Sequence, residues 1–155
     1  MTPINHDAAL QRLLAHFQAM PPVAVMQLRI DSYDGLRLKL HAPLAAHVND
    51  KGCAFGGSLA SMMTLASWGL MSLNVEAAGL RADVFVADSQ VRYLAPLFGD
   101  LDVEAQLAPD SGWDTFFATL RQRGRARAGL VARARLPNGE NATEFTARYV
   151  AIAKP

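Results

Sequence analysis

Charge is what this chain lacks where it matters most: no Asp, Glu, Lys or Arg lies between Lys51 and Glu76. Cysteine is nearly absent too. A single Cys53 excludes an internal disulfide framework and fits a reducing compartment. Charge imbalance is also missing: the net charge is +1 at pH 7, so no global field steers the protein to nucleic acid or to an anionic membrane. The stretch from Met1 to Met20 is interrupted by His6, Asp7, Arg12 and His16, and so has neither the apolar core nor the cleavage site of a signal peptide. A cytoplasmic protein is expected. No repeat, linker or low-complexity segment breaks the 155 residues. They read as one domain, 1–155, in which 1–22 form an N-terminal helix and connector.

The uncharged stretch is long enough to suggest a transmembrane helix, but Ser58, Ser61, Thr64, Ser67, Ser72 and Asn74 are spread through it. On a helical wheel Leu59, Met62, Met63, Ala66, Gly69, Leu70 and Leu73 gather on one apolar arc. Ser58, Ser61, Thr64 and Ser72 fall on the other side, interrupted by Leu65 and Trp68. A helix buried on nearly all sides inside a soluble protein is the expectation. Gly56-Gly57 at its start leaves backbone N–H groups free to approach a ligand oxygen.

Around that helix the pattern is mostly strand. Asn5 or Asp7 can cap a first helix carrying Leu10, Leu13, Leu14 and Phe17 at helical spacing, and Met20-Pro21-Pro22 stops it. Alternation from Val23 to His41, broken by Ser32-Tyr33-Asp34-Gly35, predicts a hairpin. A polar loop, Ala42 to Gly56, leads into the buried helix, which ends near Ala77. Strands are then predicted at Val84–Tyr93, Leu101–Leu107, Thr115–Arg123, Arg127–Leu136 and Thr143–Ala153, with turns at Pro109–Gly112 and Pro137–Glu140. Two strands, one buried helix and a run of antiparallel strands predict an α+β fold, a curved sheet wrapped around a central helix.

The run Asn49-Asp50-Lys51-Gly52-Cys53-Ala54-Phe55-Gly56-Gly57-Ser58 resembles the loop-to-helix motif of hotdog-fold thioesterases. Arg92-Tyr93-Leu94-Ala95-Pro96, followed by Gly99-Asp100, resembles the strand, turn and strand after that helix. In detail the sequence is most similar to the thioesterases named for the YiiD C-terminal domain, from about Ala24 to Lys154. The resemblance implies a hotdog fold with an extra N-terminal helix. It also implies hydrolysis of acyl-CoA or acyl-carrier-protein thioesters at the interface of a homodimer or dimer of dimers, with no cofactor or metal beyond the CoA of the substrate. By motif the carbonyl-polarising N–H belongs to Gly57, with Gly56 adjacent. Two departures stand out. Phe55 replaces the histidine of many relatives, and Thr64 stands where many carry a helix carboxylate. Thr64 can orient water but cannot take its proton at neutral pH.

Other groups must then supply the chemistry. Asn49, Asp50, Gly57 and Thr64 are the catalytic candidates, and Phe55, Gly56, Ser58, Ser61, Asp88 and Arg92 the substrate-binding ones. Asp50 is the nearest carboxylate to the helix start and Asp88 the second. Cys53 reads as a small buried apolar residue. His41 and His47 read as surface or strand-end residues, His47 being kept as an outsider for its closeness to the loop. Arg121, Arg123, Arg125 and Arg127, then Arg133 and Arg135, share one parity and so one sheet face. They form either a solvated outer face or a stripe for CoA phosphates or an acidic carrier protein. Nucleic acid is not expected, since no aromatic platform accompanies them. Two other classes compete with hydrolysis: a non-catalytic acyl-CoA-binding or regulatory protein, favoured by the missing helix carboxylate, and a hydratase, whose motif is not seen before the helix.

Overall fold

The computed structural model describes residues 5–155. Helix α1 spans Asp7–Ala19 and a single turn, α2, spans Pro21–Ala24. The hairpin strands are β1, Arg29–Tyr33, and β2, Arg37–Ala42. The central helix α3 is Gly56–Ala77, the bounds expected from the sequence. Then follow β3 (Ala82–Tyr93), β4 (Leu101–Leu107), α4 (Trp113–Arg123), β5 (Arg125–Arg135) and β6 (Asn141–Ala153). One antiparallel sheet of six strands, in the order β1-β2-β4-β5-β6-β3, holds them together. Its inner face meets α3 through β2, β3, β4, β5 and β6.

Alternation explains how the helix fits. On β5 the inward positions Ala126, Ala128, Leu130, Ala132 and Ala134 are all buried, and small side chains there let α3 sit close to the sheet. Met62, Met63, Leu70 and Met71 fill the space between, and unbranched methionine adapts to an irregular gap. Gly69 is required for the second layer: a Cβ there would lie 2.8 Å from Leu38 Cδ2 and 3.2 Å from Leu13 Cδ2. Thus α1 seats Leu13 and Phe17 against the face of α3 that the sheet does not cover. The apolar helix is therefore covered within one chain. Among the described residues no helix is long and apolar enough to cross a membrane.

Four readings need correction. Residues 115–123 are the body of helix α4, not a strand. Gly124 ends it in the left-handed region at φ 69°, with its N–H donating to Leu120 O at 2.9 Å, and Arg121 and Arg123 lie in the last turn, where cations favour the helix dipole. The arginine stripe is consequently split. Arg121 and Arg123 belong to α4, while Arg125, Arg127, Arg133 and Arg135 point to the outer face of β5. The hairpin starts later than Val23, because Pro21–Ala24 is helical and Gln27 adopts φ 54° before β1 begins. At α1 the cap position falls on His6, with Asn5 Oδ1 accepting the Asp7 N–H at 2.8 Å. The Asp34-Gly35 turn stands as expected: Asp34 Oδ1 accepts from Leu36 N and Arg37 N at 2.9 and 2.7 Å, and these amides hold its carboxyl below the usual range.

Candidate active site

The loop before α3 is built to deliver the glycines. After a turn of 3-10 helix at Leu44–Ala46, Val48 bridges to Ala54. Asn49 stands at the hub. Its Oδ1 accepts from Lys51 N (2.8 Å) and Cys53 N (3.1 Å), and its Nδ2 reaches Cys53 Sγ at 3.2 Å. Gly52 supplies the φ of 83° that this tight turn requires. Phe55 N–H donates to His47 O at 2.7 Å and Ala54 N–H to Leu97 O at 2.8 Å, which fixes the chain as it enters the helix.

At the helix start the Phe55 carbonyl accepts from Ser58 N (3.0 Å) and Leu59 N (3.1 Å), and no side chain caps the terminus. Gly56 N–H and Gly57 N–H have no acceptor among the described residues. A helix of 22 residues thus presents the positive end of its dipole and two free donors at this start. The Phe55 ring covers Gly57, whose hypothetical Cβ would meet Phe55 Cε2 at 2.6 Å. Tyr93 covers Gly56 in the same way, and its hydroxyl donates to Gly56 O at 2.9 Å.

Two clefts flank this start. One, of about 350 Å³, is lined by Met26, His47, Phe55, Gly57, Ser58 and Ser61, with Pro22, Val25 and Ala46. The other, of about 310 Å³, lies on the Gly56 side under Tyr93, Leu94 and Pro96. Phe55, Tyr93 and Leu94 line these clefts and are exposed, giving them an apolar rim.

The structure brings Phe55, Gly56, Gly57, Ser58 and Ser61 together and leaves the carboxylates out. Asp50 lies in the exposed loop, paired with Lys51 Nζ at 3.0 Å. Asp88 pairs with Arg148 across β3 and β6, and lines a separate cleft with Ser89, Gln90 and Asp110. The Arg148 guanidinium holds the Asp88 carboxyl below the usual range, the opposite of what a general base requires. Thr64 donates its hydroxyl to Ala60 O at 2.8 Å, the back-bond common for threonine inside helices. Arg92 faces Glu144 at 3.8 Å. Cys53 is buried, as expected.

Of the two histidines, His41 sits at the end of β2 as expected, and it is His47 that corrects the sequence reading. His41 is half-buried beside Asp102 (2.6 Å) and Asp100 (3.3 Å). His47 is only 5% exposed: its Nε2 lies 2.7 Å from Met26 O and its Nδ1 2.8 Å from Ser58 Oγ. Position in the loop gave one hint of this, adjacency to the motif. The partners come from residues 21 positions before and 11 after, separations that no local pattern encodes.

An antiparallel sheet wrapped on one central helix, with a bare glycine start opening between clefts, defines a hotdog-fold protein. The chain belongs to the family described as "Putative thioesterase (yiiD_Cterm)", whose profile matches residues 8–153. Solved structures agree. A protein of unknown function from Chlorobaculum tepidum is 27% identical with a TM-score of 0.90, over 98% of this chain and 99% of that one. A Shewanella oneidensis protein described as a "putative thioesterase" is 30% identical with a TM-score of 0.83, over 94% of this chain and 99% of that one. A Pseudomonas aeruginosa protein, 22% identical with a TM-score of 0.80 over 99% of both chains, shares the fold.

Proposed function

We propose that this protein hydrolyses an acyl thioester, carried on coenzyme A or on an acyl-carrier protein, at a site completed by a second copy of the chain. The observation that carries the proposal is the pair of unpartnered amides at Gly56 and Gly57, set at the positive end of a buried, charge-free helix. Acyl transfer moves negative charge onto the carbonyl oxygen. Fixed N–H donors aimed at that oxygen stabilise the transition state more than the ground state, which is the condition for catalysis. Membership of the family and the 30% identical Shewanella protein described as a "putative thioesterase" support the same chemistry.

The second copy is argued from β3. It is a sheet edge of 12 residues whose Phe85 and Val86 are exposed, and a long edge left open invites pairing. The strand ends in Tyr93, which touches Gly56, so whatever pairs with that edge lies beside the helix start. The surface that calls for a partner is thus the open edge of β3, since α3 is covered within its own chain.

A second reading, a non-catalytic acyl-CoA-binding protein, is favoured by the absence of any carboxylate of the same chain among the residues lining the two clefts. Release of free thiol from a panel of acyl-CoAs and acyl-carrier proteins separates the two. Turnover above the uncatalysed rate is expected on at least one acyl chain. Calorimetric binding with no thiol release on any of them would leave the binding protein.

A further inference from the structure

We infer that Ser58 and His47 form a nucleophile–base pair, and that hydrolysis passes through an acyl ester on Ser58 Oγ. The inference rests on the thioester reading above and adds to it the groups that move protons. His47 is buried, with Nε2 at 2.7 Å from the Met26 carbonyl. A carbonyl oxygen only accepts, so Nε2 carries the proton, and in the neutral ring Nδ1 is left as an acceptor. Ser58 Oγ stands 2.8 Å from that nitrogen and therefore donates its proton to it. This is the arrangement by which a base activates a hydroxyl while a third group fixes the base in one tautomer. Here a backbone carbonyl takes the orienting place, and the adjoining Gln27, at φ 54°, sets the direction of the Met26–Gln27 peptide.

Position completes the case. Ser58 follows Gly57 directly, and both line the same cleft with His47, so the hydroxyl and the free amide meet one ligand carbonyl from a single helix turn. In the first half-reaction Ser58 Oγ bonds to the thioester carbon as His47 Nδ1 takes its proton. The carbonyl electron pair moves onto oxygen, facing the Gly57 N–H. Collapse breaks the C–S bond, and the leaving sulfur takes the proton from Nδ1. Water then attacks the Ser58 ester and gives its proton to Nδ1, and Ser58 Oγ leaves with that proton. The net change is thioester plus water to acid plus thiol, with the pair restored and no carboxylate base consumed. The missing helix carboxylate at Thr64 ceases to be a difficulty.

The test joins two readouts on the intact protein. An alkyl fluorophosphonate, which phosphonylates an activated serine with loss of fluoride and needs no thioester, is expected to label Ser58, as mapped by peptide mass spectrometry. Acid-quenched turnover of an acyl-CoA is expected to show an adduct of the acyl mass on the same peptide. Ser58→Ala should lose the label, the adduct and at least ~10³-fold in kcat. His47→Gln should match it in rate, and Ser58→Ala, which touches only a half-exposed hydroxyl, guards against a fold defect in the buried His47 variant. A folded Ser58→Ala that keeps wild-type thioester turnover overturns the pair and leaves the proposed function standing. Labelling of Ser58 without turnover on any thioester supports the pair and overturns that function. Absence of both label and turnover overturns both.

Discussion

Replacing Gly57 with valine is expected to lower kcat by ~10²-fold or more, the loss seen when one oxyanion donor is removed. The amide remains in the variant, but its surroundings change. A Cβ at this position would lie 2.6 Å from the Phe55 ring, so the ring must swing away, and it is exposed enough to do so. The γ-methyls of valine then stand between the N–H and an approaching carbonyl. Because the contact matters most in the transition state, kcat and kcat/KM should fall together. Circular dichroism and sedimentation should match wild type, since Gly57 lies in the first turn of α3 and touches none of the core. A folded Gly57→Val protein with unchanged turnover would refute the donor assignment.

Placing lysines on the open edge, as Phe85→Lys with Val86→Lys, is expected to convert the assembly to monomer and to abolish most activity. Both side chains lie exposed on the strand that has no neighbour on one side. Charge on such an edge is the device by which proteins prevent strand pairing, and like charges opposite one another across an antiparallel pair repel. If the partner completes the site beside Tyr93 and Gly56, the monomer should lose on the order of 10²-fold in kcat/KM, the scale of a misplaced catalytic contact. Sedimentation velocity and thiol release on the same samples check it. A wild-type protein that is monomeric at micromolar concentration and fully active would remove the shared site from the account.

Much of this architecture was legible because the sequence is locally consistent. The glycine pair inside the uncharged run from Lys51 to Glu76 marked where α3 begins, and alternation marked β4 at its bounds. Helix α4 was misread for a physical reason. Thr115, Phe116, Phe117 and Thr119 are β-favouring types, and the arginines that follow alternate as on a strand. The spacing Trp113, Phe116, Phe117, Leu120 is helical, however, and Phe116 and Leu120 are the residues that α4 buries. Asp114 in the first turn and Gly124 as a left-handed stop completed the signal. At the site, the glycines could be read from the motif because a backbone donor needs no partner to be functional. Asn49 reads from the motif as a catalytic candidate, whereas in the fold its side-chain oxygen is taken up by the Lys51 and Cys53 amides that close the turn. His47 was beyond reach: its meaning depends on a carbonyl at Met26 that only the tertiary fold delivers.

The central claim is that the amide of Gly57 holds the thioester carbonyl oxygen, and an amide resonance reports on that directly. With the protein labelled by ¹⁵N, two unreactive substrate mimics of equal chain length can be compared. One is an acyl-CoA ketone in which CH₂ replaces the sulfur and the carbonyl is kept; the other is an alkyl-CoA thioether without a carbonyl. The ketone is expected to shift the Gly57 N–H strongly downfield, as a new hydrogen bond does, while the thioether moves it little. Equal shifts with both mimics, or a Gly57 resonance unmoved by a ketone that binds and competes with substrate, would contradict the account.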